Sequence, residues 1–269
     1  MIHLNYNIHQ IVNSLRCRGL SLSVRAALIV PVLLASTGIP AVQPKVAAAA
    51  SPVRILTIGD SITAAGKWQT EFGRLLTQAG VPNVIETEAV GGTRCDYWIP
   101  RIKAILDAHQ PDLVVLACGT NDDVNSKTYG ESSTGYALRY ITEAIHGYRP
   151  SNPIKVLPAL IQYSDPLVAP DWLLSSEPQT NDTLYRNMQY YPIGSWLAGI
   201  ANFQVIPATA TYLDDGGVHP TDRGYRYMGR LVYNASYAVM GWPATTEAPL
   251  CDLYGHRKGY ARPTYIPCP

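Results

Sequence analysis

Val53-Arg54-Ile55-Leu56-Thr57-Ile58-Gly59-Asp60-Ser61-Ile62-Thr63 is the stretch on which the reading of this chain turns. Val53 to Ile58 is a short β-rich run closed by Gly59. Lys67 to Ala79 then places Trp68, Phe72, Leu75, Leu76 and Ala79 at helical spacing, and Gly80 ends it. A strand followed at once by a helix is one half of a β-α-β unit. The pattern continues downstream. Val81–Ile85 suits a second strand and Tyr97–His109 a helix. Leu113-Val114-Val115-Leu116-Ala117 is a continuous apolar run, as a central strand buried on both faces requires. A helix over Tyr136–Tyr148 follows, then a strand over Ile154–Ile161 whose ladder Pro158 weakens. Residues 183–200 read as partly helical, broken near Pro192 and Gly194. Phe203–Ile206 is the fifth strand and Thr221–Met240 the last helix.

Repeated β-α units with right-handed crossovers predict an α/β protein. The expected form is a three-layer α/β/α sandwich around a central, mostly parallel, five-stranded sheet. In such sheets ligands bind outside the carboxyl ends of the strands. The polar residues just after each strand are therefore the ones to weigh.

Four stretches stand there. Gly59-Asp60-Ser61-Ile62 follows the first strand, and a serine at that point is by itself most often a helix cap. Val90-Gly91-Gly92-Thr93 follows the second, where glycines let backbone approach a ligand, or simply make a turn. Gly119-Thr120-Asn121-Asp122 follows the central strand. Asn121 can aim an amide NH₂ at an oxyanion, although a lone Asn more often makes a turn. Asp214-Asp215-Gly216-Gly217-Val218-His219-Pro220 precedes the last helix. A histidine held by a nearby carboxylate can act as base toward a serine.

Each stretch alone is ordinary; their order is not. The chain resembles the SGNH (GDSL-like) hydrolase family, and the resemblance spans about Val53 to Met240. It implies Ser61 as nucleophile, His219 as general base, and an oxyanion hole made by Gly92, Asn121 and the Ser61 N–H. The family acid stands three residues before the histidine, where this chain has Gly216. We take Asp215 as the acid, folded back by the double glycine, with Asp214 as the alternative. The glycine block also departs from the family, with Glu88-Ala89 where an Asn often stands. We take Gly92 over Gly91 because Thr93 then continues the family pattern.

The expected activity is hydrolysis of carboxylic esters, through an acyl-enzyme and without metal or organic cofactor. The chain has no HExxH, CxxC or phosphate-cradling loop. The serine is not in a GxSxG elbow, which disfavours the ordinary α/β-hydrolase. No long apolar lid separates the blocks, so short acyl or acetyl esters, on a small molecule or a polysaccharide, are favoured. A lysophospholipid or other lipid ester stays open. The competing class is a carbohydrate-binding or cell-surface module on an inactive scaffold, suggested by 18 tyrosines against two phenylalanines. Retention of serine, asparagine and histidine together favours the enzyme.

Residues 1–50 carry Arg16, Arg18, Arg25 and Lys45, no acid, an apolar stretch from Ala26 to Val42, and then Ala47 to Ala50. That order is an export signal, retained as an anchor if uncleaved. A secreted protein is expected, with the hydrolase domain over residues 51–242 and a Pro/Tyr-rich tail over 243–269. Without residues 1–50 the chain holds 17 basic and 20 acidic residues, which gives no reason to expect nucleic-acid binding. A monomer is expected. Cys95, Cys118, Cys251 and Cys268 suit disulfides in an oxidising compartment. Cys251 with Cys268 would tie off the tail, and Cys95 with Cys118 would join two site loops.

Overall fold

A computed structural model of the chain describes residues 51–122 and 133–244. Residues 1–50, expected to be an export signal, the tail beyond 244 and the expected Cys251–Cys268 pairing lie outside the described residues.

Five parallel strands form one sheet in the order β2-β1-β3-β4-β5. They are β1 (Val53–Gly59), β2 (Asn83–Ala89), β3 (Leu113–Ala117), β4 (Lys155–Leu160) and β5 (Ala201–Asn202). The helices are α1 (Ser61–Ala64), α2 (Lys67–Gln78), α3 (Ile102–His109), α4 (Ser133–Tyr148), α5 (Asp171–Met188) and α6 (Asp222–Met240).

Side-chain alternation along the strands builds the layers. Ile55, Leu113, Val115 and Leu157 join the core under α2 and α6, with Trp68, Phe72, Val232 and Tyr233. Leu56, Val114, Leu116 and Val156 point the other way, among Leu106, Leu138, Ile141 and Leu184 of α3, α4 and α5. All of these are buried. Burying one such side chain contributes about 1.5–3 kcal/mol, which is why the apolar run of β3 sits mid-sheet.

Four elements differ from the sequence reading, each for a local reason. The second strand runs from Asn83 to Ala89 rather than Val81–Ile85, because it pairs residue for residue with all of β1. The helix expected over Tyr97–His109 is a 3₁₀ turn at Cys95–Trp98 followed by α3, with Pro100 between them. Proline has no N–H to continue a helix. The helix expected over 183–200 is α5, which starts at Asp171 and carries Pro178 inside it. The fifth strand is the two residues Ala201–Asn202, and Phe203–Val205 is a 3₁₀ turn instead. Pro158 is part of the cause. On the outer edge of β4, Val156 exchanges hydrogen bonds with Trp196 and Ala198, and pairing with β5 starts only at Ala159. The proline between them cannot donate.

Cys95 and Cys118 form a disulfide across a sequence separation of 23. It joins the chain after β2 to the end of β3, and both cysteines are buried. Closing a loop of that length stabilises by about 3 kcal/mol in the chain-entropy picture. Reduction under native conditions is therefore expected to lower the urea midpoint by the equivalent of that amount. An unchanged midpoint after complete thiol release would show that the bond stabilises nothing.

Candidate active site

The polar residues after β1, β2 and β3 lie on one edge of the sheet, its carboxyl edge, and the loop before α6 comes to meet them. Ser61 is the first residue of α1. It is not the cap: Asp60 is, accepting a hydrogen bond from the Ile62 N–H at 3.1 Å. The Ser61 hydroxyl is thereby left for another partner, and that partner is His219. Its Nε2 lies 2.9 Å from Ser61 Oγ. A neutral imidazole with Nε2 unprotonated accepts the serine proton in this geometry.

The loop bearing His219 is a short antiparallel return. Leu213 bridges Pro220, and the Asp214 N–H donates to the His219 carbonyl at 2.8 Å. The Gly217 N–H closes the turn onto the Asp214 carbonyl at 2.9 Å. This register sets residues 214 and 219 opposite each other. Asp214 Oδ2 consequently stands 3.7 Å from His219 Nδ1. Asp215 falls on the turn itself and is exposed. The choice of Asp215 as the carboxylate beside His219 is therefore corrected to Asp214. Gly216 and Gly217 make the turn between the acids and His219, and the hairpin register decides which acid faces the ring. At 3.7 Å the pair is an ion-pair distance rather than a hydrogen bond. Both side chains are nearly half exposed, at 47% and 46%.

Val90 to Thr93 is a tight turn, closed by Thr93 N–H and Oγ donating to the Val90 carbonyl at 3.3 and 2.7 Å. Gly92, its third residue, has φ +74°, a conformation that turns reserve for glycine. Gly91 lies against Ser61, its Cβ position 3.7 Å from Ser61 Cβ. Asn121 sits in a turn that the Asp122 N–H closes onto the Gly119 carbonyl at 3.0 Å, and its side chain reaches beyond that turn. Its amide donates to the Thr93 carbonyl at 3.1 Å, which fixes the NH₂ plane and ties the block after β3 to the block after β2. The Cys95–Cys118 bond ties the same two segments from behind.

Two buried carboxyls flank these blocks, and nothing in the sequence reading singled them out. Asp122 takes hydrogen bonds from the Cys95 N–H, at 2.9 Å, and from the Thr134 hydroxyl. Burial pushes its carboxyl up to about 6, against those two donors. Burial likewise pushes Asp60 up to about 6, opposed by the Ile62 N–H. A carboxyl raised on folding stabilises the fold fully below its unfolded value near 3.8 and loses that contribution as pH rises through about 6. Asp122→Asn keeps an acceptor for Cys95 and does not ionise. Its urea midpoint, minus that of the native chain, is expected to increase from pH 4 to pH 7. A difference that stays flat or decreases over that range would contradict the raised value. Among the described residues no group of three or more His, Cys, Asp or Glu is placed to hold a metal ion.

The chain belongs to the GDSL-like lipase/acylhydrolase family, whose model matches residues 57–227. It is an SGNH-type carboxylic ester hydrolase. No curated protein sequence matches it. Among solved structures it is similar to a family 3 carbohydrate esterase from Clostridium thermocellum, with TM-score 0.58, 20% identity, and coverage of 71% of this chain and 98% of that one. A lipase/acylhydrolase from Enterococcus faecalis gives TM-score 0.54 at 18% identity, covering 72% and 100%. Axe2, an acetylxylan esterase from Geobacillus stearothermophilus, gives 0.53 at 16% identity, covering 68% and 94%. At these identities the likeness is one of fold.

Proposed function

We propose that the chain is an exported esterase acting on short acyl or acetyl esters through Ser61, His219 and Asp214. The observation that carries this reading is the 2.9 Å contact between His219 Nε2 and Ser61 Oγ. His219 takes the hydroxyl proton as Ser61 Oγ attacks the ester carbonyl. The Oγ–carbonyl bond forms and the carbonyl π pair moves onto oxygen. That oxyanion meets the N–H groups of Ser61 and Gly92 and the Asn121 amide, donors worth about 2.7–4 kcal/mol each in such a hole. Collapse expels the alcohol, which leaves with the proton from His219. Water then repeats the sequence on the acyl-enzyme and releases the acid. Asp214 stabilises the imidazolium that appears twice in the cycle.

Export is supported by the Arg-then-apolar-then-Ala order of residues 1–50 and by a disulfide of the kind that persists in oxidising compartments. The acetyl and carbohydrate esterases of similar fold are in keeping with an acetylated carbohydrate as substrate. The test is active-site labelling. A fluorophosphonate should add one equivalent of mass, located on the peptide carrying Ser61, and abolish turnover of p-nitrophenyl acetate. Full labelling elsewhere with Ser61 unmodified would overturn the assignment.

A further inference from the structure

We infer that Leu167, Val168 and Trp172 form the subsite for the alcohol half of the ester, and that it takes a neutral alcohol whose ring has an apolar face. The inference rests on the esterase reading and extends it to what the enzyme selects.

The chain that leaves β4 enters the site edge of the sheet and folds into a tight turn. The Leu167 N–H donates to Asp165 Oδ1 at 2.9 Å, and the Ala169 N–H to the Asp165 carbonyl at 2.9 Å. This turn is fastened to the loop bearing His219. The Asp165 N–H donates to the Gly217 carbonyl at 2.7 Å. Gly217 sits at φ +67°, and a Cβ there would fall 2.4 Å from Val168 Cγ2 and 3.0 Å from Asp165 Cβ. The contact is therefore backbone-tight, two residues from His219. Ala169 is buried beneath it, while Leu167 is 88% exposed, Val168 56% and Trp172 54%. Scattered exposed apolar residues are ordinary. Three large ones within six residues, on and just after a turn packed against the His219 loop, are a surface built to meet something.

Chemistry says which half of the substrate it meets. His219 must hand its proton to the leaving oxygen, so the alcohol oxygen lies at Nε2. Whatever that oxygen carries extends over the His219 loop and the turn packed on it. The carbonyl oxygen is drawn the other way, toward Gly92 and Asn121. Beside Gly92 a depression of about 630 Å³, lined also by Thr93, Tyr97 and Arg101, remains open to the acyl half. An indole flanked by branched aliphatic side chains suits the C–H face of a pyranose or an aryl ring. Asp165 lies in this turn, Asp171 precedes Trp172 in α5, and Asp214 and Asp215 lie on the loop the turn packs against. Four carboxylates disfavour an alcohol bearing a phosphate.

The experiment compares the native chain with Leu167→Ser/Trp172→Ala, which leaves the Val168 contact to the His219 loop intact, on two ester series, after thermal unfolding has shown both to be folded. One series keeps the acetyl group and changes the alcohol: ethyl acetate, phenyl acetate and an acetylated methyl pyranoside. The other keeps p-nitrophenol and lengthens the acyl chain. The variant is expected to raise KM about tenfold for the pyranoside or the phenyl ester, or both, and to leave kcat/KM for ethyl acetate unchanged. The pyranoside and phenyl arms then tell a sugar from an aryl alcohol. Its acyl series should shift by one uniform factor. A changed dependence on acyl length, or equal kinetics on every substrate, overturns the inference while leaving the esterase reading intact. A folded native chain that hydrolyses none of these esters overturns the esterase reading, and this one with it.

Discussion

Ser61→Ala is expected to lower kcat on p-nitrophenyl acetate by about 10⁴- to 10⁶-fold without disturbing the fold. The loss is that large because the hydroxyl is the atom that forms the covalent intermediate, and no second nucleophile takes over its geometry. What remains is hydrolysis by water in a site still lined by oxyanion donors, a residue of catalysis seen when one member of such a unit is removed. The fold should survive for a structural reason. Asp60, not Ser61, caps α1, and the hydroxyl touches only His219. Removing it leaves no buried group unsatisfied, so the urea midpoint should stay within about 0.5 kcal/mol of the native value, the usual scatter of neutral substitutions. Circular dichroism and a burst-free progress curve check both halves. Turnover within tenfold of the native chain, in a folded protein, would remove Ser61 from the mechanism.

That separation of cap from nucleophile shows where sequence reasoning succeeded and where it stopped. The blocks carrying Ser61 and Asn121 were legible because each follows a strand with a plain apolar pattern, and parallel strands deliver their carboxyl ends to one edge. Central strands such as β3 were legible for the same reason: five apolar residues in a row have nowhere to go but the middle of a covered sheet. Elements at the periphery were not. α5 was placed too late because proline is disfavoured inside a helix, and packing of buried residues such as Leu173 and Leu184 on both sides of Pro178 keeps it running. β5 was misplaced because its length is set by what β4 can offer past Pro158, a partner's property rather than its own. The raised carboxyls of Asp60 and Asp122 depend on burial, which no local pattern reveals.

The acid beside His219 shows the same limit most sharply, and it carries the second large effect. Asp214→Asn is expected to lower kcat about 10³-fold, whereas Asp215→Asn should change it by no more than about twofold. Counting residues back from His219 could not choose between them, because the double glycine permits more than one turn. Backbone pairing does choose: Asp214 N–H to His219 carbonyl at 2.8 Å puts these two residues face to face, and their side chains leave the same side of the return. The 3.7 Å separation is loose for a ground state, and contacts of this kind tighten when substrate excludes water and the ring gains a proton. An amide in place of the carboxylate holds the ring in the wrong tautomer and gives no charge to the imidazolium, a loss near 10⁴-fold where the pair is buried. The open position of Asp214 and His219, with water screening both, is why a smaller factor is expected here. Asp215, exposed on the turn, has no such contact to lose. Measuring both variants on the pH-independent plateau settles the choice. A large loss in Asp215→Asn with an active Asp214→Asn would reverse it. Two active variants would instead make the working unit a Ser61–His219 dyad, in which the tautomer is set by something other than a carboxylate.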